Sequence, residues 1–310
     1  MRGEFFLEIF NKKSNWYKGN LHTHTTLSDG LAEPDESIKA YKDNGYSFVA
    51  ITDHRKIYKG KEEDDLLILN GIEFDINDYS SERKAWHIVG IDMDDEVSVE
   101  DILNPSDGFI TPQYYIDSIN QNNGLAILAH PAWSLLSHDD IMGLEGHLGF
   151  EVWNTVSDTM TNRGDSTCYV DLIAKKGKYP LIFASDDTHF YNTDLFGGYI
   201  MVNSKSLKKD DILENIKKGN FYCSQGPEIK QISIENDEVY VETSPVEFIA
   251  FMTDTFYCHD RIARETGKLI TEGHYKIKKT DRYVRIECKG EDGRRAWSQV
   301  IPLECFLNLR

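Results

Sequence analysis

Cysteine is scarce in this sequence, with five residues among 310, and none belongs to a CxxC pair. An odd number of widely spaced cysteines argues against a disulfide framework and a zinc knuckle, and it is typical of a protein in a reducing cytosol. We therefore expect a cytoplasmic protein whose thiols are free. The five are Cys168, Cys223, Cys258, Cys288 and Cys305.

Long apolar runs are absent as well, since no window approaches the roughly 18 unbroken apolar residues of a membrane span. The run at residues 5–10 contains Glu8 and is too short for the core of a signal peptide. Glycine and proline, with 22 and 8 residues, are spread along the chain, which excludes collagen-like and low-complexity sequences. These absences predict a folded chain that neither crosses nor binds a membrane.

Basic residues are outnumbered, with 34 Lys and Arg against 52 Asp and Glu, which leaves a formal net charge of −18. Because so negative a field repels polyanions, we expect no binding to a nucleic-acid polymer. A small anionic substrate would need local positive charge, which bound cations can supply. The sequence leaves the oligomeric state open.

Apolar residues make up 40% of the chain, enough for a sizeable core, and the length predicts two domains. We place them at residues 1–222 and 223–310. The first domain ends with an amphipathic helix at 207–218. In the second domain, apolar and polar residues alternate at 229–234, 238–242, 246–252 and 283–288. This pattern predicts a small antiparallel β-sandwich-like unit, which is either a lid or specificity element or a structural appendage.

Six of seven short apolar runs in the first domain end in polar side chains, and the run at 87–91 begins with one. They lie at residues 20–24, 48–54, 66–73, 87–91, 125–130, 150–154 and 181–187. Near-continuous apolar strands are typical of a sheet covered by helices, and helical patterns at 33–44, 111–123 and 165–176 separate several of them. We expect a barrel-like α/β domain with its chemistry at the carboxyl ends of the strands. The polar stretch between Glu73 and His87 also allows a hairpin there.

Two pairs of potential metal ligands are spaced two residues apart, His22 with His24 and Asp187 with His189. On a strand, such residues point to the same face, so both members of a pair can reach one ion. Asp186 points the other way. Either motif alone is more often a coincidence or a surface pair.

Other candidate ligands lie at the ends of further predicted strands. A histidine in such a place, as His54 and His130 are, is more often a hydrogen-bonded core or turn residue. His87 opens the next run and would lie close to Glu73 if the two strands form a hairpin. Glu73 closes a run so apolar that its carboxylate, if buried, must be paired or bound to a cation. Six imidazoles with two carboxylates exceed one coordination shell and imply two or three divalent ions that share Glu73. Nitrogen and oxygen donors without thiolate suit Zn, Mn, Fe or Co.

Five motifs in this order resemble those of the PHP family (polymerase and histidinol phosphatase). They are NLHTHTTLSDG at 20–30, ITDH at 51–54, GIE at 71–73, LAHP at 128–131 and SDDTH at 185–189. The stretches GNFYCSQGP at 219–227 and DGRRAW at 292–297 resemble the carbaryl hydrolase-like branch of that family. The resemblance implies a distorted (β/α)7 barrel of PHP type with a small C-terminal antiparallel β domain.

The resemblance also implies three metal positions. The first would use His22, His24, Glu73 and Asp187, and the second would use Glu73, His87 and His130, with Glu73 as the bridge. A third would use His54 and His189, together with Asp29, where many relatives have a histidine. Glu73, Asp187 and Asp29 are the implied catalytic carboxylates. Either Asp29 or a water on the third ion would protonate the leaving oxygen.

The resulting functional hypothesis is a metal-dependent phosphoesterase that cleaves small phosphate esters or nucleotides with a metal-activated hydroxide. Arg55 and Arg163, in loops after predicted strands, are the candidate contacts to an anionic, phosphorylated substrate. One alternative is a carboxyl or carbamate ester hydrolase with the same multinuclear centre, and another is a metal-binding regulatory module without activity. A pocket lined by Arg and Lys would favour phosphate, whereas aromatic residues would favour the carbonyl substrate.

Overall fold

A computed structural model describes residues 6–63, 65–80, 82–106 and 108–303 of the chain. Four of the cysteines predicted to be free are free in this part of the chain: Cys168, Cys223, Cys258 and Cys288. Cys305 lies outside the described residues. No helix within these ranges is both long and apolar enough to cross a bilayer.

Seven helices occur in the described residues. They are α1 (Pro34–Asp43), α2 (Val99–Leu103), α3 (Pro112–Gln121), α4 (His138–Gly143), α5 (Thr155–Thr161), α6 (Thr167–Ala174) and α7 (Lys209–Lys217). Helices α1 and α3 begin with proline, which lacks the N–H that a helix start leaves unpaired. The Thr111 hydroxyl caps α3 by accepting the N–H of Tyr114 at 3.1 Å. Helices α1, α3, α6 and α7 confirm the four predicted from the sequence.

The described strands are short and numerous. They are β1 (Phe6–Glu8), β2 (Asn15–Asn20), β3 (Phe48–Ala50), β4 (Lys61–Glu63), β5 (Leu66–Leu69), β6 (Gly71–Asp78), β7 (Lys84–Ile91), β8 (Leu125–Leu128), β9 (Gly149–Asn154), β10 (Leu181–Ser185), β11 (Tyr199–Ser204), β12 (Phe221–Ser224), β13 (Ile229–Glu235), β14 (Glu238–Val246), β15 (Phe248–Met252), β16 (Ile262–Ala263), β17 (Ile270–Lys276), β18 (Tyr283–Lys289), β19 (Arg295–Ser298) and β20 (Ile301–Pro302).

The strands that carry the predicted ligands belong to two sheets. A five-stranded sheet has the order β10-β9-β8-β7-β6, and β2, β3 and β5 lie side by side in a larger sheet. Strands β8, β9 and β10 are parallel to one another, as are β2, β3 and β5. Strands β6 and β7 form the antiparallel hairpin that the spacing between Glu73 and His87 allowed. Helix α3 packs on this sheet, where the rings of Tyr115 and Phe74 stack at 4.6 Å.

The mixed α/β class is confirmed, but strand ladders do not close a (β/α)7 barrel within the described residues. The two sheets are linked instead by isolated bridges, among them Thr23 with Thr188 and His54 with Glu73, both parallel. Thr23, Thr188 and His54 lie just beyond the ends of regular strands, whereas Glu73 lies within β6. The loops that carry the candidate ligands therefore meet where the two sheets come together.

The apolar run at 66–73, predicted as one strand, is two strands in different sheets. Strand β5 pairs with β3 and ends at Leu69, whereas β6 begins at Gly71 and pairs with β7. Between them the Asn70 side chain donates to the carbonyl oxygen of Met93 at 2.6 Å. A Cβ on Gly71 would lie 2.6 Å from the carbonyl oxygen of Ile51, so only glycine fits this crossing. Glu73 is consequently an early residue of β6 rather than the end of β5.

The C-terminal strands are antiparallel, as their alternating pattern predicts. Strands β15, β18 and β19 continue the large sheet, while β13, β14 and β17 form a four-stranded sheet together with β1. The boundary predicted between residues 222 and 223 falls inside β12, which pairs with both β11 and β19. The division into two domains stays a prediction.

A buried ion pair joins α6 to the C-terminal strands. Arg285 in β18 has a side chain only 2% exposed, and its Nη2 lies 2.6 Å from Oδ2 of Asp171 in α6. Its Nε donates to the other oxygen of Asp171 at 3.1 Å, and its Nη1 lies 3.2 Å from the Glu287 carboxylate. The planar guanidinium thus satisfies two carboxylates at once.

Candidate metal centre

The two histidines of the HxH motif lie immediately after β2, in extended backbone that pairs with the segment after β10. The N–H of His24 donates to the carbonyl oxygen of Thr188 at 3.0 Å, and the N–H of Asp187 donates to that of His22 at 2.9 Å. Both imidazoles are buried, and their Nε2 atoms lie 3.2 Å apart. This backbone pairing brings the HxH and DxH motifs together.

The carboxylate of Glu73 is the centre of the cluster and is almost fully buried. Its Oε1 lies 3.1 Å from Nε2 of His22 and 3.1 Å from Nδ1 of His87. Its Oε2 lies 3.3 Å from Nε2 of His24 and 3.0 Å from Nδ1 of His54. One carboxylate therefore faces four imidazoles from three separate segments of the chain.

Asp187 and His130 occupy strained backbone at the ends of β10 and β8. Their φ angles are 53° and 28°. Residues other than glycine rarely adopt positive φ angles, and such backbone strain clusters at functional sites. Oδ1 of Asp187 lies 3.2 and 3.1 Å from Nε2 of His22 and His24. Nε2 of His130 lies 3.7 Å from Oδ2 of Asp187 and 3.8 Å from Oε1 of Glu73.

An outer group of donors surrounds the half-exposed carboxylate of Asp29. Its Oδ1 lies 3.4 Å from Nδ1 of His24 and 3.5 Å from Nε2 of His189, and its Oδ2 lies 3.7 Å from Nε2 of His54. Asp53 holds the loop that positions Asp29, because it accepts the N–H and hydroxyl of both Thr25 and Ser28 at 2.6–3.0 Å. The structure thus brings together all nine residues predicted as ligands.

Opposite charges stabilise each other in this buried cluster. Burial alone would lower the pKa of His22, but the charges of Asp187, Glu73 and Glu151 raise that pKa well above its usual value. Burial alone would raise the pKa of Glu73, but the neighbouring imidazoles, His22 foremost, lower it well below its usual range. The carboxylates are therefore ionised, as metal ligands must be.

The donor set fits divalent cations. Three groups of donors have ligand atoms that lie within 4.8 Å of one another: His22, His24 and Glu73; His54, Glu73 and His87; and His24, Asp29, His54 and His189. Oδ1 of Asp187 and Nδ1 of His54 are buried, and within the described residues none of their close contacts has the geometry of a hydrogen bond. Buried polar atoms are seldom left so, and a cation shared with neighbouring imidazoles would satisfy both.

Glu151 belongs to the site but is not among the residues predicted from the sequence. Its carboxylate lies 2.8 Å from Nδ1 of His22, accepts the N–H of His130 at 2.9 Å and accepts the Asn154 amide at 2.7 Å. The Ser185 hydroxyl also donates to it. The available signal was an acidic residue inside an apolar run, the same signal that identified Glu73.

We expect Glu151→Gln to weaken metal binding about 10–100-fold, the usual effect of losing a residue that orients a histidine ligand. The carboxylate accepts a hydrogen bond from the Nδ1–H of His22 and so leaves Nε2 free to bind a cation, whereas an amide holds the ring less firmly. Titration calorimetry with Mn²⁺ measures the change. Glu145→Gln, at an exposed position, is the control, and equal affinity in the two variants would contradict this role.

The cavity at the centre has a volume of about 340 Å³. Donors from the cluster line it together with five apolar side chains, Tyr79, Trp133, Val156, Met160 and Phe190, which we call the apolar shelf. Arg55 and Arg163, the predicted substrate contacts, do not line it. Arg55 is paired with Asp75, Nη2 to Oδ2 at 2.8 Å, and Arg163 is exposed.

Comparisons with known proteins agree with the ligand motifs. The family model of the PHP domain matches residues 20–190, more than half of the chain. DNA polymerase/3'-5' exonuclease PolX of Bacillus subtilis is 32% identical over 146 residues, which cover 38% of this chain and 24% of that protein. Uncharacterized protein MJ1587 of Methanocaldococcus jannaschii is 30% identical over 125 residues, which cover 37% of this chain and 67% of the relative.

Among solved structures, a two-domain protein from Bacteroides vulgatus that contains a predicted PHP-like metal-dependent phosphoesterase is similar over nearly the whole chain. The TM-score is 0.51, the sequence identity is 13%, and the alignment covers 94% of this chain and 96% of the other. At this identity the likeness concerns the fold alone.

Proposed function

Because the chain belongs to the PHP domain family, we propose that it is a metal-dependent hydrolase that cleaves small phosphate esters. The observation that carries the proposal is the buried Glu73 carboxylate, with imidazole nitrogens of His22, His24, His54 and His87 within 3.0–3.3 Å. We also take strands β2, β3 and β6–β10 as a distorted barrel of the PHP type, supported by the bridges between the two sheets. Membership of the carbaryl hydrolase-like branch stays a prediction.

The same residues would hold two or three ions. His22, His24, Glu73 and Asp187 would bind the first, and Glu73, His87 and His130 the second. His54, His189 and Asp29 would bind the third. When bound, divalent ions at such a centre lower the pKa of water and neutralise charge on the phosphoryl oxygens. The chain is proposed to act in the cytoplasm on a small anionic substrate.

Hydrolysis requires a bond from a water oxygen to phosphorus and cleavage of the bond from phosphorus to the organic oxygen. One proton of the water ends on the leaving oxygen, and the other stays with the phosphate. Partial burial raises the pKa of Asp29, but contacts with His24 and the neighbouring imidazoles lower it below its usual range. The carboxylate is therefore ionised, which suits a ligand of the third ion, whereas its lowered pKa makes it a weak proton acceptor.

A second candidate, hydrolysis of carboxylic or carbamic esters, has support from the cavity lining. Within the described residues the lining contains aromatic side chains and neither Lys nor Arg. A carbonyl ester needs no cationic residue for binding, whereas a phosphate ester here would depend on the metal ions for positive charge.

The test is product release from a panel of phosphate monoesters, phosphodiesters and phenyl acetate. The Mn²⁺- or Zn²⁺-loaded protein is compared with a metal-stripped sample and with His22→Ala. We expect phosphate release that both controls lack. Release from phenyl acetate alone would favour the second candidate, and metal binding without any hydrolysis would favour a regulatory module.

A further inference from the structure

The apolar shelf is continuous with the metal donors. The Trp133 ring contacts the rings of His130 and His87 edge-on, with centroids 4.8 and 5.5 Å apart. At the other end, the ring centroid of Phe190 lies 6.2 Å from that of His189. A molecule with one end at the donors therefore has apolar side chains beside its other end.

Three members of the shelf are largely exposed. Tyr79 is 84% exposed, Met160 in α5 is 51% exposed and Phe190 is 41% exposed. Large apolar side chains that gather in a cavity rather than singly over a surface mark a place where a ligand binds. Outside the metal cluster, the polar groups of the lining are the side chains of Asn77 and Ser157, the Tyr79 hydroxyl and the Trp133 indole N–H.

Charge narrows the class of ligand further. The lining contains the carboxylates of Asp29, Glu73 and Asp187 and, in the described part of the chain, no cationic Lys or Arg. Positive charge would come from the bound ions and would be confined to the donor end. An anion at the shelf end would lose part of its hydration against apolar side chains without a cationic partner, which costs free energy.

We propose that the apolar shelf binds an uncharged aromatic or branched aliphatic group, so that the substrates are monoesters with one anionic group, at the metal end. This inference rests on the proposed function and specifies its substrate class. Sugar bisphosphates and other polyanionic esters would be poor substrates, because their second anion would lie against apolar and acidic side chains.

Binding of two phosphonates to the Mn²⁺-loaded protein tests this inference without catalysis. Phenylphosphonate and methylphosphonate share a phosphonate group and contain no ester bond that could be hydrolysed. They differ in the organic group, which is a phenyl ring in one and a methyl group in the other. We expect the phenyl compound to bind about tenfold more tightly, from partial burial of its ring at about 25 cal/mol per Å². Calorimetry measures both dissociation constants.

The Met160→Ala/Phe190→Ala variant is expected to reduce this preference to about twofold or less. Phe256→Ala, which removes the same ring from a fully exposed position outside the cavity, should keep the preference near tenfold. Bound metal is counted in each protein. If the double variant binds less metal, the Met160→Ala single variant is used instead, because Met160 is not adjacent in sequence to any donor.

Equal affinity for the two phosphonates, or an unchanged preference in the shelf variant, would overturn the inference. The proposed phosphoesterase fails by a different result, namely no phosphate release from phenyl phosphate or glycerol phosphate. Faster turnover of glycerol phosphate than of phenyl phosphate would support the phosphoesterase and overturn the shelf.

Discussion

Glu73→Gln is expected to lower kcat/KM by at least about 10³-fold, equivalent to about 4 kcal/mol of transition-state stabilisation. Glutamine has nearly the same size as glutamate but no charge. The Glu73 carboxylate contacts His22, a proposed ligand of the first ion, and His54, a proposed ligand of the third. Without it the proposed bridge between ions is lost, so the number of bound metal ions should also fall. Steady-state kinetics and metal analysis by mass spectrometry measure the two effects.

Glu235→Gln is the matched control, since it makes the same chemical change at an exposed position at the end of β13. It should retain full activity and metal content. A Glu73→Gln protein that binds the full number of ions and keeps more than a tenth of the activity would show that Glu73 is not the bridging ligand.

Arg285→Met is expected to lower the free energy of unfolding by about 3 kcal/mol, the lower end of the cost of breaking a buried ion pair. The change leaves the carboxylates of Asp171 and Glu287 without the guanidinium that both of them contact. Asp171 keeps some contact with water, since its side chain is 30% exposed, which moderates the loss. Urea unfolding followed by circular dichroism measures the change.

Arg294→Met provides the comparison for this variant. Arg294 also contacts a carboxylate, that of Asp292 at 2.6 Å, but its side chain is 58% exposed. Exposed pairs of this kind contribute about 0–1 kcal/mol. Similar losses in the two variants would mean that burial of the Arg285 pair adds no stability.

Much of the candidate site could be predicted because metal ligation restricts residue type. Histidine and ionised carboxylate are uncommon at the ends of apolar strands, so His22, Glu73 and Asp187 stood out in the sequence. The starts of two helices could also be predicted, because Pro34 and Pro112 are typical of a first helical turn, and α1 and α3 begin at these residues. These features depend on neighbours in sequence, which is why a single sequence reveals them.

Features that depend on contacts distant in sequence could not be predicted. The split at Asn70 and Gly71 depends on the backbone near Ile51 and Met93, which the apolar pattern of 66–73 does not reveal. That strand ladders do not join the two sheets into a closed barrel likewise depends on the geometry of the strands rather than on residue type. Arg55 follows His54 directly, yet its pairing with Asp75 turns the guanidinium away from the cavity.

Strand β1 pairs with β13 across most of the chain, Phe6 opposite Glu235 and Glu8 opposite Ser233. At translation rates of about 5–20 residues per second, roughly 10–50 s separate the synthesis of these two strands. During that interval β1 has emerged from the ribosome without the neighbour it pairs with. An unpaired strand of this kind is open to association with other chains until its partner strand has been synthesised.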